Sequence, residues 1–399
     1  MSKNKLTIII VSVVAVLALG LGIFFAWKKS NRIITSELLP GLAPSVATST
    51  TATQIKSAAG ALTVLGKNKV FYYWIYTPSA TSSAIAKNIM YISPDGAIFA
   101  ITNGKEQKIN GIQASNMQSV KASSDGKWIF IKSGSFNQSR FDFLNVEKNI
   151  WQPATTDVVA ADWSLDGEKL VYLQNNIASK SFDLMIKDMD IAAPIAATST
   201  KSAVAKSKTQ QPQKIISLNQ TDFDLRWYEA DKVLLIPKPS INYISDIWEV
   251  DIKTKLISKM MSGNGIMINW LKFGNQGLKF TADSRRNYNF SMVDDKGNTR
   301  GTFKFKTFPD KCLINSFIQM YCAVPRDQNM FSSLNFPDDY LKNNIYFNDG
   351  IYLIDLSKNQ SRPLFESNSP AIDAVNISLF GNQLLFLNRY DQKLYGLGL

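Results

Sequence analysis

Carboxylates, lysines and tyrosines are the side chains left to do chemistry in this chain, because none of its 399 residues is histidine. Histidine is the commonest general base and metal ligand, and it activates the serine or cysteine of most nucleophile pairs. No glycine-rich phosphate loop and no Gly-x-Ser-x-Gly sequence occurs either. The sequence therefore favours a binding protein over an enzyme, and it predicts no catalytic residues, no metal site and no cofactor.

Two clusters of carboxylates are better explained as turns than as sites. Residues 294–298, Asp-Asp-Lys-Gly-Asn, have the composition of a calcium loop but lack the alternating ligands and the distal glutamate. Asp338 and Asp339 are adjacent in a predicted loop, so their side chains should point apart instead of forming an acid–base pair. Neither cluster predicts a reaction.

The two cysteines are placed to form a disulfide. Cys312 and Cys322 lie in apolar segments on either side of a predicted turn near Phe317. If the loop comprises residues 316–318, position 315 opposes 319 and the two cysteines face each other. Residues directly opposite in an antiparallel pair have Cα atoms about 4.5–5.5 Å apart, which a disulfide can span. The alternative is a pair of buried free thiols in a reducing compartment.

A short phrase, serine, any residue, then Asp-Gly, recurs along the chain and precedes an alternating apolar run each time. It occurs at 93–96, 123–126 and 164–167. Asp-Gly between two strand-like segments is a strong hairpin signal, because glycine adopts positive φ without penalty and aspartate tolerates it. Recurrence every 30–50 residues or so indicates a repeated β unit.

From about residue 60 onward the chain divides into similar units of four strands, with a tight turn after the first and an acidic residue ending the third. The predicted inner strands lie at 120–123, 161–164, 225–228, 268–271, 313–316 and 374–377. The recurring third strands lie at 183–188, 246–251, 350–356 and 393–397. The two-residue periodicity, the glycine turns and the lack of helical periodicity after residue 40 predict an all-β fold.

These units resemble the TolB-type propeller repeat, whose signature is Trp-Ser-Pro-Asp-Gly followed by a strand. Residues 163–167, Trp-Ser-Leu-Asp-Gly, are the nearest copy, and the resemblance covers most of residues 69–399. It implies a WD40-like β-propeller of four-stranded blades around a channel. A first blade at about 60–112, five blades between 113 and 370 and three strands at 372–399 favour seven blades, closed by an N-terminal strand from 45–58 or 60–66. Six blades is the alternative.

The N-terminus has the composition of a membrane anchor and a stalk. Residues 6–27 are uncharged and mostly apolar, and as a helix they would be about 33 Å long, enough to cross a bilayer. A cleaved signal peptide is the alternative, but its apolar region should be only about 7–15 residues. Residues 41–60 are small, hydroxylated and almost uncharged, which predicts a flexible stalk over residues 28–59 that holds the propeller outside the cytoplasmic membrane. A cytoplasmic linker is the alternative, since the flanking charges do not decide the orientation.

The net charge of +12 does not predict nucleic-acid binding, because most of it lies outside the propeller repeats. Residues 1–32 contain five basic residues and residues 191–216 contain four, with no acidic residue in either segment. Since residues 33–59 are neutral in sum, the remaining body carries only +3, too little for a phosphate-binding face. Residues 191–213, whose composition resembles the stalk, predict a mobile insertion without a packed structure.

The loops between the second and third strands are the candidate binding surface. In propellers these loops share one face with the connections between blades, and here they are long and rich in arginine and aromatic residues, the types enriched at interface hot spots. The candidate residues are Arg285, Arg286, Tyr288, Tyr243, Arg326, Phe331, Phe336 and Tyr340. The alternative for the long excursion from Pro325 to Asp349 is that it caps the channel of its own protein.

Together these patterns predict a cytoplasmic N-terminus at 1–5, a transmembrane signal anchor at 6–27, a stalk at 28–59 and a β-propeller at 60–399. Such a protein would act as a protein- or ligand-binding scaffold in a bacterial cell envelope, with the membrane and another envelope protein or peptide as partners. A second hypothesis is a propeller hydrolase or lactonase whose carboxylates converge on the channel, where Asp162 is the main predicted acid. A third is a purely structural envelope component.

Overall fold

The computed structural model describes residues 38–39, 60–78, 88–111, 116–135, 138–154, 157–189, 211–270, 276–283, 285–316, 318–367 and 369–399. The predicted anchor at 6–27, most of the predicted stalk and residues 191–210 of the predicted insertion lie outside these ranges. Within them, no helix has the length and apolar character needed to cross a membrane.

The described residues form strands joined mostly by turns. The strands before the first blade are β1 (Leu38–Leu39) and β2 (Leu62–Val64). Blade 1 contains β3 (Tyr72–Tyr76), β4 (Asn88–Ile92), β5 (Ala97–Thr102) and β6 (Lys105–Gly111). Blade 2 contains β7 (Met117–Ala122), β8 (Trp128–Ser135), β9 (Gln138–Asn145) and β10 (Ile150–Pro153). Blade 3 contains β11 (Val158–Trp163), β12 (Lys169–Asn176), β13 (Ser181–Asp188) and β14 (Gln213–Leu218).

The second half of the chain continues this pattern. Blade 4 contains β15 (Phe223–Glu229), β16 (Lys232–Pro237), β17 (Ile244–Asp251) and the start of β18 (Ile257–Trp270). Blade 5 contains the end of β18, then β19 (Gln276–Ala282), β20 (Tyr288–Asp294) and β21 (Thr299–Phe303). Blade 6 follows a 3-10 turn (Pro309–Lys311) and contains β22 (Cys312–Ser316), β23 (Gln319–Pro325), β24 (Asp349–Asp355) and β25 (Gln360–Phe365). Blade 7 contains β26 (Ala374–Phe380), β27 (Gln383–Asn388) and β28 (Lys393–Gly398).

The sheet topology is that of a β-propeller with a strand from each end of the chain in the last blade. Five sheets contain four strands each, and a sixth contains eight strands and comprises blades 4 and 5, which share β18. β2 completes blade 7 by pairing antiparallel with β28, so that Leu62 faces Leu397. This confirms the predicted closing strand within 60–66. Blades 1 and 7 also meet at the Tyr73 hydroxyl on β3, which donates to the carbonyl of Asn376 on β26 and lies 3.0 Å from the carbonyl of Leu385 on β27.

The predicted inner strands coincide with β7, β11, β15, β18, β22 and β26, but the first Asp-Gly phrase is placed differently. Residues 123–126 and 164–167 connect the first and second strands of their blades, whereas residues 93–96 connect the second and third strands of blade 1. The turns are nevertheless built alike, because the serine carbonyl accepts the glycine N–H at 2.9 Å in all three. The phrase therefore forms the same kind of turn in each copy but does not mark one fixed position within the blade.

Two further boundaries differ from the sequence prediction. β1 lies within the predicted stalk and pairs in parallel with the outer strand of blade 5, Leu38 with Thr302 and Leu39 with Phe303. At this point the segment is part of the sheet instead of a free tether. At the end of the predicted insertion, Gln213 already belongs to β14, where it pairs with Ile186.

Polar side chains of the inner strands are paired within the channel. Lys121 on β7 lies 2.7 Å from Asp224 and 3.8 Å from Asp162, measured between its Nζ and the nearest carboxylate oxygens. Asp162 is buried and also accepts the backbone N–H of Trp227 at 2.8 Å. These contacts connect blades 2, 3 and 4, so the main acid predicted for the channel serves as a contact between blades.

The two cysteines form a disulfide at the start of blade 6. Cys312 faces Cys322 across β22 and β23, with an S–S distance of 2.04 Å and a Cα–Cα distance of 4.2 Å. The register shifts between Ile314 and Ser316, so Ser316 and not Asn315 opposes Gln319. The pairing of the cysteines is the predicted one, while the bulge beside the turn is not visible in the spacing alone.

Candidate functional site

The long connection between β23 and β24, residues 326–348, folds over one end of the channel and is termed the cap. It contains two short helices, α1 (Met330–Ser333) and α2 (Asp338–Leu341). Four of its aromatic side chains are buried and form one cluster with residues of blades 5 and 6, in which the ring of Tyr340 stacks on Phe308 at 4.1 Å between centroids. The fifth, Tyr346, is 42% exposed. Phe331 and Phe336 are buried in the same cluster, 4.9 Å apart.

Polar contacts hold the cap to blades 4 and 5. The Tyr288 hydroxyl of blade 5 donates to the carbonyl of Leu334 at 2.7 Å and accepts the N–H of Phe336 at 3.0 Å. Asp338, at the start of α2, accepts the Ser240 hydroxyl and the Ile241 N–H of blade 4 at 2.9 and 2.7 Å. Buried aromatics and paired polar groups together make the cap an ordered part of the propeller.

This arrangement changes the interpretation of the predicted binding residues. Tyr288, Phe331, Phe336 and Tyr340 are all buried, so their prediction as exposed contacts for a partner was wrong. The long loop had enough apolar residues to form a core of its own with Phe308 and Phe347, and burying them is more favourable than leaving them in water. The alternative interpretation, a loop that caps its own channel, describes its position.

The other four predicted residues lie at the surface of the same end. Arg285 and Arg286 are exposed in a turn that Asp283 holds by accepting the N–H groups of Arg285 and Asn287, both at 2.8 Å. Tyr243 is half exposed and its hydroxyl donates to the carbonyl of Lys238 at 3.1 Å. Arg326 is exposed at the first position of the cap. These residues belong to loops of blades 4, 5 and 6, and they do not line the cavities beside the cap.

Two cavities flank α2, and Leu341 lines both of them. The small cavity, about 440 Å³, lies towards blades 6, 7 and 1 and is lined by Asp310, Tyr340, Tyr346, Asn376 and Arg389 among others. The large cavity, about 880 Å³, lies over blades 2 to 5. Cavities of this size are in the range that holds small ligands or side chains of a bound peptide.

The small cavity is lined mainly by groups that already have partners. Tyr340 donates to Asp310 at 2.7 Å, and the guanidinium of Arg389 lies 4.3 Å from the centroid of the Tyr340 ring. Burial raises the pKa of the Asp310 carboxyl, although the hydrogen bond from Tyr340 opposes the rise. Its Oδ1 is buried and has no hydrogen-bond partner among the described residues. Asp310 is therefore a candidate acceptor for a donor group of a ligand.

The large cavity combines an aromatic wall with acidic groups at its rim. Phe130 and Phe141 lie on one side, and the rim contains the exposed carboxylates Asp157, Asp222 and Asp224. Lys132 also lines this cavity, and its Nζ lies 5.4 Å from the centroid of the Phe141 ring. Burial lowers the pKa of Lys132, and the carboxylates of Asp224 and Asp222 partly offset this decrease. The cavity is suited to a segment with both apolar and cationic groups.

A buried ionic cluster, termed the latch, lies beneath the small cavity. Lys311 Nζ is 2.6 Å from Asp349 Oδ2 and 2.6 Å from Asp373 Oδ1, and none of the three side chains is exposed. Arg389 binds the other oxygen of Asp373 at 3.0 Å, and so does the N–H of Phe347 at 3.1 Å. The latch thereby joins the start of β22, the start of β24 and the residue before β26 to the cap.

Charges in the latch are strongly coupled. Burial raises the pKa of Asp349 to about 6, although Lys311 opposes the rise and the charge of Asp373 adds to it. Burial by itself would lower the pKa of Lys311, but its two carboxylate partners raise it above the usual value. Removing any one partner would leave an uncompensated charge in the interior.

Sequence reasoning did not identify the latch. Lys311, Asp349 and Asp373 are 38 and 24 residues apart along the chain, so no local motif connects them. Each, however, directly precedes or begins a strand, at the end of the blade where the cap lies. The sequence signal for the latch is therefore a charged residue at the same end of several apolar strands.

Within the ranges that the structure covers, no group of three or more His, Cys, Asp or Glu side chains is placed to hold a metal ion. Residues 294–298 form a turn between β20 and β21, in which Asp294 accepts the N–H groups of Lys296 and Asn298 at 3.0 and 2.8 Å. Asp338 and Asp339 bind different partners, Ser240 and the N–H of Asn335, respectively.

No protein-family model matches this chain, and no curated protein matches it. Among solved structures, an oligogalacturonate lyase from Vibrio parahaemolyticus is similar, with a TM-score of 0.51, 10% identity and coverage of 85% of this chain and 98% of that chain. An oligogalacturonate lyase in complex with manganese has a TM-score of 0.50 and 11% identity, and the match covers 85% of this chain and 98% of that chain. The β-propeller domain of Cps50 from Myceliophteria thermophila has a TM-score of 0.50 and 10% identity, with coverage of 85% of this chain and 100% of that chain. At these identities the likeness shows the fold, a β-propeller, and nothing about activity.

Proposed function

We propose that this protein is a single-span membrane protein that displays its propeller outside the cytoplasmic membrane and binds a peptide segment of another envelope protein at the capped end. The observation that carries this proposal is the pair of cavities on either side of α2. They lie on the face where the loops between second and third strands converge, and two of these loops carry the exposed Arg285, Arg286 and Arg326. Interfaces of this kind combine buried apolar anchors with a charged rim.

Binding is better supported than hydrolysis by the partners of the carboxylates at this end of the channel. Asp162 and Asp224 are paired with Lys121, and Asp338 is used to hold the cap. A hydrolase or lactonase would need two carboxylates converging on one substrate atom. The likeness to oligogalacturonate lyases lies in the fold and supplies no catalytic residue for that alternative.

The membrane part of the proposal rests on residues 6–27, an uncharged run long enough to span a bilayer. We expect the full chain to remain with membranes after a carbonate wash, and protease added to intact spheroplasts to digest the propeller. Protease applied to lysed cells is the control that shows the site is cleavable. A propeller protected in spheroplasts and cleaved after lysis would place it in the cytoplasm.

Peptide binding at the capped end predicts that the exposed arginines of the neighbouring loops contribute to capture of the partner. In full-length protein crosslinked in its own membranes, Arg285→Ala with Arg286→Ala should reduce capture of the partner at least about fivefold, the effect of losing roughly 1 kcal/mol. Because both side chains are exposed, the melting temperature should stay within a few degrees. Tyr288 is left intact, since its hydroxyl holds the cap.

The matched control removes two exposed lysines from the opposite end of the propeller, Lys148→Ala with Lys296→Ala. It changes the net charge equally but leaves the capped end unaltered. Equal capture by both double variants would mean that the arginines do not contact the partner.

A further inference from the structure

The latch places an amine against a carboxyl group in a dry part of the protein. Lys311 Nζ is 2.6 Å from Asp349 Oδ2, both side chains are completely buried, and the ring of Phe347 lies 5.2 Å from the amine. Asp349 Oδ2 also accepts the N–H of Ala374 at 2.8 Å, whereas its Oδ1 is buried without a partner among the described residues. The two donors concentrate the negative charge on Oδ2 and leave Oδ1 with carbonyl character, so Oδ2 is the oxygen that can be protonated and lost.

From this geometry we propose that Lys311 and Asp349 condense into an intramolecular amide that links the first and third strands of blade 6 covalently. Asp373 is the third member of the site. Its Oδ1 is 2.6 Å from the amine, while its Oδ2 is held by Arg389 and by the N–H of Phe347. Those two contacts hold the Asp373 side chain with its Oδ1 aimed at the amine, so that it can accept a proton from it.

The reaction is a balanced condensation. Within the ion pair the ammonium of Lys311 gives one proton to Asp349 Oδ2, the oxygen that it contacts, which leaves a neutral amine and a neutral acid. The Nζ lone pair attacks Cγ of Asp349, and Asp373 accepts the second proton from nitrogen and passes it to the departing Oδ2. The Cγ–Oδ2 bond breaks, one water leaves and Oδ1 becomes the amide oxygen. An ammonium and a carboxylate thus become an amide and water, nothing is oxidised or reduced, and Asp373 returns to its initial state.

The surroundings favour the product. A buried ion pair retains a desolvation cost of several kcal/mol per ion, and the amide removes both charges. Effective concentrations of well-oriented groups held in contact reach about 10⁵ M or more, which compensates for the low reactivity of a carboxyl group. The adjacent disulfide between Cys312 and Cys322 fixes β22 against β23, and β23 lies between the two strands that the amide would join.

The test is mass spectrometry of the full-length protein purified from its own membranes, reduced, alkylated and digested with trypsin. Trypsin does not cleave after an acylated lysine. We therefore expect residues 307–326, uncleaved at Lys311, joined to residues 343–358 with the loss of one water. The free 343–358 peptide should be reduced at least tenfold relative to an unfolded chain that carries Lys311→Arg.

A second variant tests the role assigned to Asp373. Asp373→Asn keeps both reacting groups but removes the proton acceptor, so the joined peptide should fall at least tenfold in protein that still binds to membranes and resists protease. Separate, unmodified peptides from the native protein would overturn the proposal without reference to any variant. A join between Lys311 and the peptide containing Asp373 would also overturn it, because Asp373 would then be the reacting carboxyl.

Discussion

Replacing Lys311 by methionine should lower the free energy of unfolding by about 3–5 kcal/mol, the cost of removing one partner from a buried ionic cluster. The substitution leaves Asp349 and Asp373 facing each other without a cation between them, in a site with no exposure to solvent. The variant also loses the amide proposed between Lys311 and Asp349. Chemical denaturation of the full chain measures the change, and the loss should be large enough to lower expression.

Lys121→Met is the matched control, since Lys121 also bridges two carboxylates. Its partner Asp224 is 64% exposed, and its buried partner Asp162 keeps the N–H of Trp227, so the effect should be smaller, about 1–2 kcal/mol. Adding Asp349→Asn to Lys311→Met should recover part of the lost stability, because the remaining acid then has no like-charged neighbour. Equal effects of Lys311→Met and Lys121→Met would contradict the importance given to the latch.

Phe331→Ala should destabilise the protein by about 3–5 kcal/mol, the usual cost of removing a buried aromatic ring from a packed core. The side chain of Phe331 is almost completely buried and its ring lies within 4.9 to 6.3 Å of five other aromatic rings. The cavity left behind would loosen the cap from blades 5 and 6. We expect a lower melting temperature and new protease cleavage between residues 326 and 348.

Leu341→Ala provides the comparison within the same cap. Leu341 is 41% exposed and lines the cavities instead of the aromatic cluster, so its truncation should cost less than about 1 kcal/mol. A cap that is equally protease-resistant in wild type and Phe331→Ala would show that the aromatic cluster does not hold it.

Local turn chemistry and two-residue periodicity were enough to predict the architecture. Six inner strands, the number of blades favoured by the repeats and the closing N-terminal strand all follow from patterns that span fewer than about fifty residues. The pairing of Cys312 with Cys322 could also be predicted, because one short hairpin determines it. The bulge at that hairpin and the different position of residues 93–96 depend on how neighbouring strands pair, which local sequence does not specify.

The candidate site was only partly predictable for a related reason. Arginines and aromatic residues in the long loops look alike in sequence, yet Arg285 remains at the surface while Phe331 and Tyr340 are buried against Phe308. Whether a loop packs on its own protein depends on the apolar surface available across other blades. The latch likewise assembles only when blades 6 and 7 meet.

The central claim is that partners bind at the capped end, and site-specific photo-crosslinking from two leucines tests it most directly. A photoreactive amino acid replaces Leu341, 41% exposed on α2, or Leu165, 43% exposed in the turn between β11 and β12 at the opposite end. In full-length protein in its own membranes, position 341 should give an adduct with one envelope protein that Arg285→Ala with Arg286→Ala weakens, and position 165 should give none. An adduct from position 165 alone, or no adduct from position 341, would contradict the claim.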